Sequence, residues 1–355
     1  MSMDREALEG EVLGRVMMVR ADASRAMGTG HVMRCLALCQ AWSDLGGRAV
    51  FHTAPTGSRL EELLRREGVE ISYAEHSAGD EDDASELMAK AQNADSSWIV
   101  QDGYHLRVDY QRRLKGSGLP LLAIDDLAEE RRHSADIVLN QNMYASAEDY
   151  RPSGPETRLL LGPNYALLRR DFWRFRGRER RTGEVEHVLI SFGGSDPRDL
   201  TGMALRALAD VEGSPEVRAM VGPLNSRADE LRSQAERTAL DAEVLVGVQS
   251  MAEMLDWADL VVAAAGSSVY EFAFMGVPAL MVQVADNQRL GAAAMAAKGL
   301  AVNLGWHEDI TIEGLRNAMT RAIGDYEARR SMARAGQSVV DSLGAFRTVA
   351  AMMSR

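Results

Sequence analysis

Cysteine is nearly absent: Cys35 and Cys39 are the two thiols among 355 residues. They lie four apart in a stretch that reads as one helix and do not easily reach disulfide geometry, so a disulfide-stapled fold is excluded and reduced thiols are expected. With His31 they form an i, i+4, i+8 column. A zinc site wants a fourth ligand or a Cys-x-x-Cys pair, and neither is there, so the thiols read as small apolar packing groups. Long apolar runs are missing as well. No stretch approaches the roughly 18 residues that a spanning helix needs. Residues 1–14 lack the charged-then-apolar order of a signal peptide, so a cytoplasmic protein without membrane insertion is expected. Basic charge is in deficit, with 40 Lys and Arg against 52 Asp and Glu and a formal net charge of −12. This excludes a sequence-independent grip on nucleic acid or an anionic membrane, because both rely on basic patches facing phosphate. A small anion held by backbone dipoles stays compatible with such a surface.

What is present is apolar residue in quantity, 46% of the chain, over a length beyond one typical domain of about 100 to 200 residues. Short runs of Val, Ile and Leu alternate with turns and helix-periodic segments, the rhythm of parallel βαβ units. In the first half, strands are expected at 15–20, 49–53, 70–74, 98–101, 121–124 and 137–140, with helices at 31–45 and 58–67. The acidic stretch 78–96 reads as a surface loop plus helix. Residues 169–184, dense in arginine, read as a connection between domains. Beyond it, strands are expected at 186–192, 217–221, 242–246, 260–264 and 279–282. The expectation is an α/β chain with domains at 14–175 and 176–355. Gly344 interrupts the helical tail, so the last helix is expected to cross back to the first domain. The 19 methionines read as core filler.

Two glycine turns follow strands. The first, Gly28-Thr29-Gly30-His31, opens a helix, where Gly28 and Gly30 let the backbone approach a phosphate or sugar and the helix start offers N–H groups. Alone it equally describes a tight turn with an incidental histidine. Its position favours function, because open α/β sheets bind ligands at the carboxyl ends of their strands. Imidazole can take a proton from water near neutral pH, and a helix N-terminus disfavours its charged form, so His31 is the candidate general base. Asp22 is a candidate to orient it, or else caps the turn. The second turn is Gly193-Gly194-Ser195-Asp196-Pro197. Further on, Ala265-Gly266-Ser267-Ser268 leads into a helix carrying Glu271. Here serines and N–H groups suit a diphosphate and a carboxylate suits ribose hydroxyls, while Ser268 and Glu271 also have capping-box spacing. Asn287 and Gln288 follow the next strand in a polar cluster.

Taken in order, Arg20-Ala21-Asp22, Gly28-Thr29-Gly30-His31 with Arg34, Asp125-Asp126, Leu139-Asn140-Gln141-Asn142, Tyr165 to Arg169, Gly193 to Asp196, Gly266 to Glu271 and Asn287-Gln288 resemble a known family. It is that of the UDP-2,4-diacetamido-2,4,6-trideoxy-β-L-altropyranose hydrolases of pseudaminic acid biosynthesis and their spore-coat polysaccharide relatives. That family is in turn similar to inverting glycosyltransferases of the GT-B type, two Rossmann-like domains facing across a cleft. The resemblance implies UDP on the second domain, sugar on the first, and water attacking the anomeric carbon with inversion. It implies His31 as base, Tyr104 and Asn287 lining the sugar, and Gly194, Ser267, Ser268 and Glu271 holding diphosphate and ribose. In some members a histidine precedes the tyrosine, whereas here the segment reads Asp102-Gly103-Tyr104-His105. The change leaves a gap beside Tyr104 or moves an imidazole two places on.

UDP is a good leaving group once its charge is neutralised, so a base plus a diphosphate cradle suffices. The only Asp-x-Asp, Asp80-Glu81-Asp82, lies in the acidic stretch, so no metal and no cofactor are expected. An inverting UDP-sugar glycosyltransferase would use the same groups with an acceptor hydroxyl in place of water, but no basic, apolar patch accompanies the His31 turn. A non-catalytic UDP-sugar binder would have no reason to place a histidine there. A nicotinamide-dependent oxidoreductase would want a third glycine and an acidic residue where His52-Thr53 stands.

Overall fold

The structure, a computed structural model, describes residues 5–24, 27–128, 132–150, 157–180, 182–193, 196–213, 215–222, 225, 227–238, 240–248 and 250–354. The chain divides into two compact units, Met1–Arg170 with Ser342–Arg355, and Asp171–Asp341. Among the described residues no helix is long and apolar enough to cross a membrane.

The first unit is built on β1 (Val16–Ala21), β2 (Arg48–Thr53), β3 (Glu70–Tyr73), β4 (Ser96–Asp102), β5 (Leu121–Ile124), β6 (Ile137–Asn140) and β7 (Arg158–Leu161). Their order is β3-β2-β1-β4-β5-β6-β7, and every pairing is parallel. Burial on both faces explains the near-continuous apolar runs, with β1, β5 and β6 buried at every position. The order of strand addition reverses between β1 and β4. Their register sets Ala21 beside Asp102, so the loops leaving these two strands flank the switch point where such sheets bind ligands.

The second unit repeats the plan with β8 (His187–Ser191), β9 (Glu216–Val221), β10 (Ala242–Val246), β11 (Leu260–Ala264), β12 (Ala279–Gln283) and β13 (Val302–Trp306). The order β10-β9-β8-β11-β12-β13, again parallel throughout, is that of a doubly wound α/β sheet. Its switch point falls between β8 and β11, the strands that lead into the second glycine turn and the serine turn. Val188, Ile190, Val217, Val262 and Leu280 form the centre of its core.

Two strands, β7 and β13, escape the sequence reading. Both are sheet edges and only partly buried; β13 (Val-Asn-Leu-Gly-Trp) lacks an apolar run, and the run in β7 is only three leucines long. The acidic stretch is also more than surface. Helix Glu81–Asn93 keeps Asp80, Glu81 and Asp82 outside, but Asp83 is fully buried, where it accepts from Arg20 Nε (3.1 Å) and Tyr110 Oη (2.6 Å). Burying Arg20 inside β1 is tolerable because Asp83 and Asp22 both face its guanidinium. The arginines of 169–184 tie down the ends of the two units. Arg170 bonds Gln40 and Asp44 in the first, and Arg180 caps the carbonyls of Leu255, Asp256 and Ala258 in the second.

Candidate active site

Helix Gly30–Asp44 starts one turn after β1, with Gly28 at φ +73° in the left-handed region that lets the chain swing into it. His31 is its second residue and is buried to 6% exposure. Its Nδ1 lies 2.7 Å from Asp102 Oδ1, at the end of the adjacent β4. An ionised carboxylate only accepts, so Nδ1 carries the proton and Nε2 keeps its lone pair, the tautomer a general base requires. Asp102 is itself held by Arg34, one turn further along His31's helix. Arg34 Nε donates to Oδ2 and Nη2 to Oδ1, both at 2.6 Å. Burial would raise the Asp102 carboxyl, but the charges of Arg34 and then His31 outweigh it and hold it below the usual carboxylate range. Cys35 Sγ lies 3.5 Å from the same carboxylate. Burial pushes its thiol well up and that of Cys39 to about 12, so both stay protonated.

The sequence left Asp22 either to orient the imidazole or to cap the turn, and in the structure it is Asp102, not Asp22, that meets the ring. Asp22 faces the other way, accepting from Arg20 Nη1 (2.7 Å), Thr53 Oγ1 (3.2 Å) and Ala54 N (2.8 Å). Its short side chain sits at the β1–β2 border, with all three of these bonds on Oδ1. Asp102, one strand across, reaches the ring instead.

Tyr104 is 43% exposed, packs edge-on against the His31 ring with centroids 4.9 Å apart, and donates its hydroxyl to Asp126 Oδ2 at 3.0 Å. The departure at Gly103 resolves in favour of a relocated imidazole. A Cβ on Gly103 would lie 2.8 Å from His105 Cε1, so the His105 ring fills that space, with Nε2 3.5 Å from Asp22 Oδ2.

In the second unit, Gly194 and Ser195 lie outside the described residues. Beside them Asp196 caps helix Leu200–Leu208, accepting from Leu200 N (3.0 Å) and Thr201 N (2.9 Å). Ser267 is exposed, and Ser268 and Glu271 are partly so. Ser268 occupies the N-cap of helix Val269–Met275 without a side-chain cap bond, so the capping-box geometry is not formed. Asn287 and Gln288 lie in the single turn Asp286–Gln288 after β12. Gln288 Oε1 accepts from Val284 N, and its Nε2 stands 3.8 Å from a Cβ built on Gly266, so the serine turn and this turn adjoin. His31 and Tyr104 thus converge within the first unit, and the Gly266, Ser267, Ser268 and Gln288 group within the second. Arg34, Asp102, Asp126 and Asn142 received no role from sequence. The available signal was Arg34 one helical turn from His31 and carboxylates at the ends of apolar strands.

Residues 188–343 match the glycosyltransferase family 28 C-terminal domain. The chain is 25% identical over 289 residues to the UDP-2,4-diacetamido-2,4,6-trideoxy-beta-L-altropyranose hydrolase of Campylobacter jejuni, covering 81% of this chain and 98% of that one. It is 29% identical over 196 residues, 55% of this chain, to the spore coat polysaccharide biosynthesis protein SpsG of Bacillus subtilis. The chain spans only 55% and 58% of the lengths of two of its curated relatives, the spore coat protein being the latter. The crystal structure of Acinetobacter baumannii MurG matches with a TM-score of 0.67 at 17% identity, over 96% of this chain and 100% of that one. The fold is therefore glycosyltransferase-like, two parallel-sheet α/β domains of the GT-B type. Within that class, its homologues include the altropyranose hydrolase and the spore coat protein.

Proposed function

We propose that the protein hydrolyses UDP-2,4-diacetamido-2,4,6-trideoxy-β-L-altropyranose at the anomeric C–O bond with inversion, releasing UDP and the free sugar for pseudaminic acid synthesis. The observation that carries this is the His31–Asp102 pair at the β1/β4 switch point, a buried imidazole whose proton is fixed on Nδ1 by a 2.7 Å bond. In this reading His31 Nε2 takes a proton from water as its oxygen attacks the anomeric carbon, and Asp102 offsets the charge that develops on the ring. In this reading the second domain holds the nucleotide through Gly194, Ser195, Ser267, Ser268 and Glu271, with Asn287 and Gln288 as further substrate contacts of that domain, while Gly28 and Gly30 let the first domain's backbone approach the substrate. Neutralising UDP as it leaves is the larger need, and a positioned base adds roughly 10²- to 10⁴-fold. The homologous hydrolase, aligned over 98% of its length, supports the substrate. Two buried, unpaired thiols fit a cytoplasmic setting.

The family 28 domain supports a second reading, transfer of the sugar to an acceptor hydroxyl by the same base. One experiment separates them: incubate the purified protein with the UDP-sugar, with neither acceptor nor metal, and follow UDP release beside a His31→Asn control. Hydrolysis requires release that the control lacks. Tight UDP binding with no release would transfer support to the acceptor reading.

A further inference from the structure

Beyond the dyad lies a second carboxylate that the proposed reaction does not use. Arg34 bridges the two. Its Nε and Nη2 engage Asp102, while Nη1 donates to Asp126 Oδ1 (2.7 Å) and Oδ2 (2.9 Å). Asp126 leaves β5 and also receives the Asn142 amide on Oδ1 (2.8 Å), while its own carbonyl takes Tyr144 Oη (2.7 Å) and Asn140 Nδ2 (3.1 Å). The loops after β5 and β6 therefore clamp this carboxylate in place. Burial favours its neutral acid, but the Arg34 charge outweighs that and keeps it ionised.

An ionised carboxylate can only accept, so the 3.0 Å contact to Asp126 Oδ2 must consume the Tyr104 hydroxyl proton. We propose that Asp126 is a positioning residue that fixes the polarity of Tyr104, so that its phenol oxygen meets the substrate only as an acceptor and selects a sugar N–H or O–H donor. Tyr104 is suited to this by its place, since it is exposed on one side and edge-on to the base on the other. The proposal rests on the nucleotide-sugar reading above and adds to it a discriminating residue and the sign of its hydrogen bond.

The test measures affinity for UDP and for the UDP-diacetamido sugar in a His31→Asn background, which prevents turnover. Tyr104→Phe, Asp126→Asn and the double variant are compared. Tyr104→Phe is expected to weaken the UDP-sugar by roughly tenfold and leave UDP unchanged, because one hydrogen bond to the sugar is lost. Asp126→Asn is expected to do the same, and the double variant to be no weaker than Tyr104→Phe alone. Additive losses, or equal losses for UDP and UDP-sugar, would show that Asp126 supports the fold rather than the hydroxyl. If Asp126→Asn does not fold, Asp126→Glu keeps the charge, displaces the acceptor and enters the same cycle. A parent that binds neither ligand overturns the nucleotide-sugar reading, and with it the proposal, whereas a parent that binds both and shows an additive cycle overturns the proposal alone.

Discussion

In the proposed reaction the His31–Asp102 pair works through one proton. With Nδ1–H committed to a carboxylate 2.7 Å away, the imidazole presents a lone pair at Nε2 and gains a counter-charge when it becomes imidazolium. An amide at 102 would keep the shape, lose the charge, and offer Nδ1 a donor as readily as an acceptor. Asp102→Asn is therefore expected to lower the rate of UDP release by about 10²-fold or more, with UDP affinity unchanged. The assay is run where circular dichroism shows the variant folded, since Arg34 then loses part of its buried partner. A variant with undiminished rate would remove Asp102 from the mechanism. At this scale the sequence singles out His31 as a candidate but not the carboxylate that supports it. His31 stands out because a glycine turn and a helix start frame it. Asp22 is nearer in sequence, but Asp102 is nearer in space, and only the parallel pairing of β1 with β4 brings it there. The exchange at Gly103 and His105 was visible as letters, while its meaning is steric, one ring occupying the volume that a side chain at 103 would need.

The elements show where pattern reading succeeds and where it stops. Interior strands such as β5, β6, β11 and β12 read directly from their apolar runs, because burial on both faces leaves few polar positions to confuse the pattern. The edge strands β7 and β13 bury less and leave a weaker trace. The final helix, Gly344–Met353, illustrates a third case. It packs in the first unit although 171 residues of the second precede it, and Gly344 is what permits the contact. A Cβ there would lie 2.2 Å from Ala166 O and 2.5 Å from Tyr165 C, backbone atoms that cannot turn aside. In sequence Gly344 showed only as a break in helical periodicity. Gly344→Ala is expected to destabilise the protein by about 1–3 kcal/mol through overpacking, despite alanine's better helix propensity. A urea melt gives the sign, and a stabilised variant would mean the helix sits further from the 163–166 turn than described.

For the molecule as a whole, the buried charges set a pH dependence that surface charge alone would not. Asp22, Asp102 and Asp126 all lie below the usual carboxylate range, each against the pull of burial, because His105 and Arg20 act on the first and Arg34 on the other two. His52 is held below the ordinary imidazole value, by burial first and then by the charge of Arg20. For every one of these groups the folded chain binds fewer protons than the unfolded chain at acid pH, so each contributes stability at high pH that is lost on acidification. The windows differ. His52 begins to cost stability as pH falls through the unfolded imidazole range near 6.5, with a slope of about 1.4 kcal/mol per pH unit. The three carboxylates follow below about pH 4, with a slope that approaches about 4 kcal/mol per unit. Urea midpoints at several pH values should therefore hold steady above neutrality, decline gently toward pH 5, and collapse below 4. His52→Asn, which keeps a donor for Ser72 but has no titrating ring, should flatten the gentle decline and leave the collapse. If the decline persists in that variant, it originates in another histidine and the assignment to the buried Arg20 network is wrong. If the collapse starts well above pH 4, the carboxylates are not held ionised by their arginines, and the bond that fixes the His31 tautomer loses its basis along with them.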